Sequence, residues 1–428
     1  MGRKVRNNLD NQMGNVVHVR GPEEAAEVNR EIASRVRRQK RNLMVILFII
    51  AVSAAVVIIL MMNREYNGYK VENRNDTSYE NTASYVQFCG NLLKYTPDGV
   101  SYINTNGDTV WTAGVDMKMP IAVTSGSYAV VADMSGNELY VFNDEGQVSN
   151  LTMPYTICDV DVASQGAFAV VLESDKTNYI NLYDKNGEIV YTMKTSISKS
   201  GYPLDIAISD DGQKLFSSYI NVGGSTVRNN LAAYNFGDVG QNANADRMVG
   251  GYKFENEVIP KIEFIDNDTV AAFGTSSITI YSMKEKPSER AKIELDEEIR
   301  SIFYNDDYIG IIQAAEPKDG EKQYKLTTYD LKGNKKFSKN ISFSYDNVYA
   351  AKKEIIISGG SNCLIIRTNG RVKFNGNLSG KVVSVVPSGK RNEYVVVYDN
   401  ATEIIKLKSD SGDDSEDKKA VSKEDSED

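Results

Sequence analysis

A recurring turn constrains this chain more than any other feature. A glycine lies four residues after a large apolar residue and four before an aromatic one: Ile103, Gly107 and Trp111, then Tyr183, Gly187 and Tyr191, then Tyr329, Gly333 and Phe337, then Ile366, Gly370 and Phe374. A further unit keeps Phe142 and Gly146 but has Asn150 at the third place. Asn or Asp opens most of these turns, as Asn104, Asn143, Asp184 and Asp330 do, with Arg367 the exception. Each unit reads as a β-hairpin whose strands send one large residue apiece into a common layer. Less regular hairpins fall near residues 237–240 and 284–287 and at Asp399-Asn400, so successive turns lie roughly 30 to 50 residues apart, the spacing of four-stranded blades.

Between these turns lie inner hairpins, apolar on both faces around an acidic turn, as in IAISDDGQKLFSSY (206–219), KIEFIDNDTVAAFG (261–274) and SIFYNDDYIGIIQ (301–313). Such strands are buried between neighbouring blades. The expected fold is therefore all-β, a β-propeller of four-stranded blades, with eight blades the first choice and seven the alternative. The eighth unit, residues 382–408, has no outer strand of its own. A closed ring cannot leave that edge open, and the segment just before Tyr85 is the natural donor.

Residues 43–62 are twenty in a row without a charge, preceded by Arg35, Arg37, Arg38, Lys40 and Arg41. Twenty apolar residues as a helix span the ~30 Å hydrocarbon core, and the basic flank holds the N-terminus in the cytoplasm. The run is too long for the apolar region of a cleaved signal peptide. The chain divides into a basic cytoplasmic tail (1–42), a single transmembrane helix (43–62), a polar stalk (63–80), an extracytoplasmic propeller (81–408) and an acidic disordered tail (409–428). Within the first segment, residues 1–21 read as disordered and the run from Pro22 as a helix leading into the span.

The match NTNGDTVWTAG (104–114) resembles the tryptophan-docking repeat of quinoprotein-like propellers, and SDDGQKLF (209–216) resembles the inner turn of the YVTN-like group. The layout of one anchor and one exported propeller resembles a bacterial membrane-anchored β-propeller family of unknown function. The resemblance covers about residues 81–408 and implies a fold, not an activity. Trp111 is the only tryptophan, so the docking motif is degraded in the other blades, which weighs against quinone-dependent chemistry.

Charge and residue usage narrow the function classes. Of 49 Lys and Arg and 58 Asp and Glu, residues 1–42 hold ten and five, leaving 39 and 53 and a net charge of −14 for the rest. That field disfavours a nucleic-acid ligand. The only histidine, His18, lies in the N-terminal tail, so Ser-His-Asp catalysis and histidine-ligated zinc are unavailable to the propeller. No cofactor or metal is expected. Asp210-Asp211, Asp266-Asn267-Asp268 and Asn305-Asp306-Asp307 lack calcium-loop spacing and read as turn residues. Cys89, Cys158 and Cys363 read as buried free thiols.

Candidate ligand contacts come from aligning the inner strands. Asp159 and Asp205 fall at equivalent places in consecutive blades, with Lys261 and Arg300 in the next two, which would divide the channel mouth into acidic and basic halves suited to a zwitterion. Two long polar stretches, 221–230 and 237–247, both belong to the fourth unit. The expected function is an extracytoplasmic binding module, not an enzyme, for a protein, peptide or glycan of the cell envelope. The alternatives are a carbohydrate-active or quinone-dependent propeller enzyme, or a transmembrane sensor.

Overall fold

The computed structural model describes residues 22–76, 83–175, 177–198, 200–223, 226–243, 245–318 and 320–409, and the chain forms two compact units, Met1–Arg64 and Glu65–Asp428. The segments expected to be disordered, 1–21 and nearly all of 409–428, lie outside the described residues. Among its described residues the first unit contains one helix, α1 (Pro22–Met62), which begins at a residue with no backbone N–H to leave unpaired. The uncharged run 43–62 forms its last part, and the side chains of Ala55 and of residues 57–62 are outside the described set. Among the described residues, no helix is long and apolar enough to cross a membrane.

The second unit is a ring of eight four-stranded antiparallel sheets. Blades 1 to 7 occupy residues 84–114, 120–152, 156–196, 202–255, 261–294, 299–341 and 347–377, each running from its inner to its outer strand in chain order. Blade 8 takes three strands from residues 382–408, and its outer strand is β1 (Gly68–Asp76). Residues read as a stalk therefore belong to the ring. Their polar sequence reflects a strand exposed along most of its length.

Several groups hold this closure. β1 runs antiparallel to Ala401–Lys408, with Gly68 opposite Lys408 and Asp76 opposite Ala401. Just before it, the Tyr66 N–H donates to the Lys373 carbonyl in blade 7 (2.8 Å), and the Asn392 amide donates to the Tyr66 hydroxyl (2.8 Å). The Tyr66 ring packs into the apolar cluster between blades 7 and 8. Arg74 reaches Glu403 at 2.7 Å, and this buried carboxylate also accepts from Ser379 and Tyr398. The chain thus enters and leaves the ring side by side, on the face that carries the turns between inner and second strands.

Every junction between neighbouring blades has its own apolar cluster, eight in all. Each fully buried Val, Leu, Ile or Phe contributes about 1.5–3 kcal/mol, so the ring is held chiefly by these interfaces. The repeated turn also links blades. Asp184 and Asp330 accept the N–H groups two and four residues on, which explains the Asn or Asp that opens the turn. Gly370 adopts φ +83°, and a side chain there would stand 2.9 Å from Phe337 of the preceding blade.

Trp111 shows the same docking in blade 1. Its indole N–H donates to the Asp144 carbonyl of the next blade (3.0 Å), and its ring stacks between Tyr102 (5.6 Å) and Phe142 (5.4 Å). It remains half-buried, because the outer strand lies at the rim. The cysteines are all free, but only Cys363 is buried; Cys158 is partly covered and Cys89 is exposed in a tight turn at φ +49°. Blade 4 alone among the described blades carries a short helix, α2 (Asp238–Ala243), within the stretch 237–247.

Candidate binding site in the central channel

The inner strand of each blade has one edge without a strand partner, so its outward N–H groups need other acceptors. For blades 4 and 5 carboxylates from the preceding blade supply them. Asp159 accepts from the Ile206 N–H (2.9 Å), Asp161 from Ile208 (2.8 Å) and Asp205 from Ile262 (2.7 Å). Asp205 also takes the Lys261 ammonium at 3.0 Å, and Lys261 pairs at the same distance with Glu263.

Asp159, Asp205 and Lys261 are thus brought together as the alignment implied, each at the same place in its strand. Asp159 and Asp205 both follow the extra residue of a β-bulge, Cys158 and Leu204 respectively. Blade 6 has the same bulge, and there Arg300 is itself the extra residue. Ser301 takes the equivalent place and bonds the Tyr345 hydroxyl at 2.7 Å, while Arg300 stands exposed, 4.0 Å from Glu298. Arg300 does not join the cluster, and Lys261 is already paired. The acidic and basic halves expected of the channel mouth are not formed.

What forms instead is an acidic cavity of about 370 Å³ at the turn-bearing end of the inner strands. Six consecutive blades line it, through Gln87, Ser125, Asp161, Asp210, Glu263 and, from blade 6, Tyr304 with Asp306. Neither lysine nor arginine is among its lining residues. Ser125 donates to Asp210 at 3.1 Å, tying blade 2 to blade 4 across the opening.

Burial raises the carboxyl of Asp161 to about 8, with the charge of Glu263 adding to the shift. Burial likewise raises Asp159 to about 6 against the opposing charge of Lys261. Asp205 is pushed well above the usual carboxylate range by burial, and Asp210 is raised by burial in spite of its bond from Ser125. Burial alone would lower Lys261, but the charges of Glu263, Asp205 and Asp159 lift it above its ordinary value. The cluster holds more acids than it can leave ionised together, so a cation entering the cavity meets groups already short of positive charge.

Asp161, Glu263 and Tyr304 were not singled out in the sequence. The two-residue spacing in Asp159-Val160-Asp161 and Lys261-Ile262-Glu263 puts each second group on the same side of its strand, and that spacing is the signal that would have found them. The acidic turns behave as turn residues: Asp211, Asp266 and Asn305 each accept the N–H two residues on. Among the described residues, no group of three or more His, Cys, Asp or Glu could hold a metal ion.

Ring and channel together define the class, an eight-bladed β-propeller of four-stranded blades. The chain belongs to a family of unknown function, DUF5711, which matches residues 62–407. A search of curated proteins gives no match. Among solved structures it is similar to Sqt1 from Chaetomium thermophilum, at 10% identity and a TM-score of 0.52, covering 78% of this chain and 98% of that one. It also matches Citrobacter koseri AztD, at 10% identity and a TM-score of 0.48 over 70% of this chain and 87% of that one. Kuenenia stuttgartiensis hydrazine synthase matches at 12% identity and a TM-score of 0.45, over 80% of this chain and 100% of that one. At this identity the first of the three shows a likeness of fold and nothing further.

Proposed function

We propose that this protein is a membrane-anchored binding module whose propeller takes a cationic group, an amine or guanidinium, into the acidic end of its channel. The observation that carries this reading is the 370 Å³ cavity, walled by six blades and lined by Asp161, Asp210, Glu263 and Asp306. Its size suits one side chain or small amine, and its charge excludes anions. The ligand of this reading is the cationic part of an envelope peptide, protein or amino-bearing glycan, and no catalytic step is assigned to it.

The anchor is residues 43–62, and the propeller lies outside the cell. The uncharged run at the end of α1 and the basic residues before it support this placement. Calorimetric titration of the full-length protein in detergent with agmatine tests the site, with glutarate as the anionic control. Saturable agmatine uptake without glutarate uptake is the expected result; equal response to both, or to neither, overturns the reading. Protease added to wall-stripped cells tests the topology and should remove the propeller while sparing a membrane-bound fragment containing His18.

A further inference from the structure

Blade 4 holds a second cavity, of about 360 Å³, which no part of the channel site uses. Several of its lining residues belong to the apolar cluster shared with blade 3, so it lies on that side of the blade. Its floor is the cross-strand pair Ala232 and Gly251. The corresponding pair is Ser101 with Thr112 in blade 1, Asn181 with Thr192 in blade 3 and Thr327 with Ser338 in blade 6. Blade 4 therefore lacks side-chain volume where other blades have it, and the cleft is the consequence.

The walls of the cleft are of two kinds, aromatic and polar, and they meet where Tyr219 lies directly opposite Asn230. Tyr219 and Tyr234, exposed by only 2% and 8%, stand beside the floor with their hydroxyls 3.5 Å apart. Farther along the same two strands, Asn230 lies directly opposite Lys253, so an amide and an ammonium share the polar wall within cross-strand reach. No carboxylate lines the cleft, and Lys253 is therefore its only charge. Of the stretches that distinguish blade 4 in the sequence, 221–230 runs into the first of these strands, which begins at Arg228, and 237–247 connects the two.

We propose that this cleft binds a small planar carboxylic acid, with its ring over Ala232 and Gly251 beside the two tyrosines and its carboxylate on Lys253 and Asn230. Charge complementarity selects the class, because one cation on the polar wall and an apolar remainder match an anionic head on an uncharged ring. The volume lies at the lower end of the range for small-molecule sites, which suits a single ring.

Benzoate, benzamide and benzylamine are matched probes for the full-length protein, read by calorimetry. Benzoate should bind at least tenfold more tightly than the other two. Lys253→Gln should weaken benzoate by roughly ten- to a hundredfold, the range for losing a charge-assisted contact, and leave benzamide unchanged. Ala232→Leu, which fills the floor, should exclude all three. Should that variant not fold, the surface change Lys253→Gln decides alone. Equal binding of benzoate and benzamide, undiminished benzoate binding by Lys253→Gln, or no binding at millimolar benzoate would overturn the proposal.

Discussion

At the closing seam, β1 covers the strand Ala401–Lys408 with eight paired residues; at the channel wall, the inner strands of blades 4 and 5 have no neighbouring strand and carboxylates of the preceding blades accept their N–H groups instead. Both solutions satisfy backbone groups at an edge. The seam does so with a backbone ladder, the apolar ring of Tyr66 and one buried carboxylate, Glu403, held by Arg74, Ser379 and Tyr398. The wall does so with Asp159, Asp161 and Asp205, whose charges sit close together and close to Glu263. A ladder adds stability without leaving chemistry behind, whereas a row of carboxylates leaves a polar cavity able to attract a ligand.

The comparison breaks most sharply if β1 is removed. Deleting residues 66–76 should cost several kcal/mol and leave the propeller largely unfolded, because the last strand of blade 8 and its apolar cluster lose their cover. A circular-dichroism melt unchanged by the deletion would show that the ring closes without the seam. Tyr66→Ala removes the latch alone and should cost about 3 kcal/mol, as truncation of a buried aromatic does.

Trp111→Ala serves as the reference for an ordinary junction. Being half-buried, it should cost less than a fully buried aromatic, roughly 2–3 kcal/mol in chemical denaturation. A loss as large as that of the β1 deletion would mean that blade junctions, rather than the seam, limit stability.

The wall has a pH signature of its own. Asp161 at about 8 and Asp159 at about 6 stand above the ordinary aspartate value of ~3.9, so the folded chain binds their protons more tightly than the unfolded one. Their contribution favours folding at low pH and is lost as pH rises through about 6 and then about 8. Melting temperature should accordingly fall between pH 5 and pH 9, and Asp161→Asn should flatten the upper part of that slope. A wild-type profile that rises over this interval would contradict the charge arrangement. The smallest effect belongs to Arg300→Glu, which should shift stability by no more than about 0.5 kcal/mol, as changes at exposed sites do.

Particular residues show what the sequence made legible. The glycine turns, the inner hairpins and the donor of the missing outer strand follow from periodicity and turn chemistry, which act locally. β1 itself resembles a stalk because a rim strand open to water carries no alternating apolar signal, as Glu72, Asn73 and Arg74 illustrate. Asp159, Asp205 and Lys261 could be aligned because their strands keep a common register. Arg300 was misplaced by one position, since a β-bulge adds a residue that spacing alone does not reveal. The cavity was hidden because Asp210, Glu263 and Asp306 come from three blades and converge only when the ring closes.

One measurement puts seam and wall against each other directly: agmatine affinity, by calorimetry on the full-length protein, for wild type, for Asp210→Asn with Asp306→Asn, and for Tyr66→Ala below its melting temperature. The wall variant should lose at least tenfold in affinity while melting like wild type, and the seam variant should melt early yet bind as wild type does. Undiminished affinity in the wall variant, or a matching loss in the seam variant, would contradict the assignment of binding to the channel wall and stability to the seam.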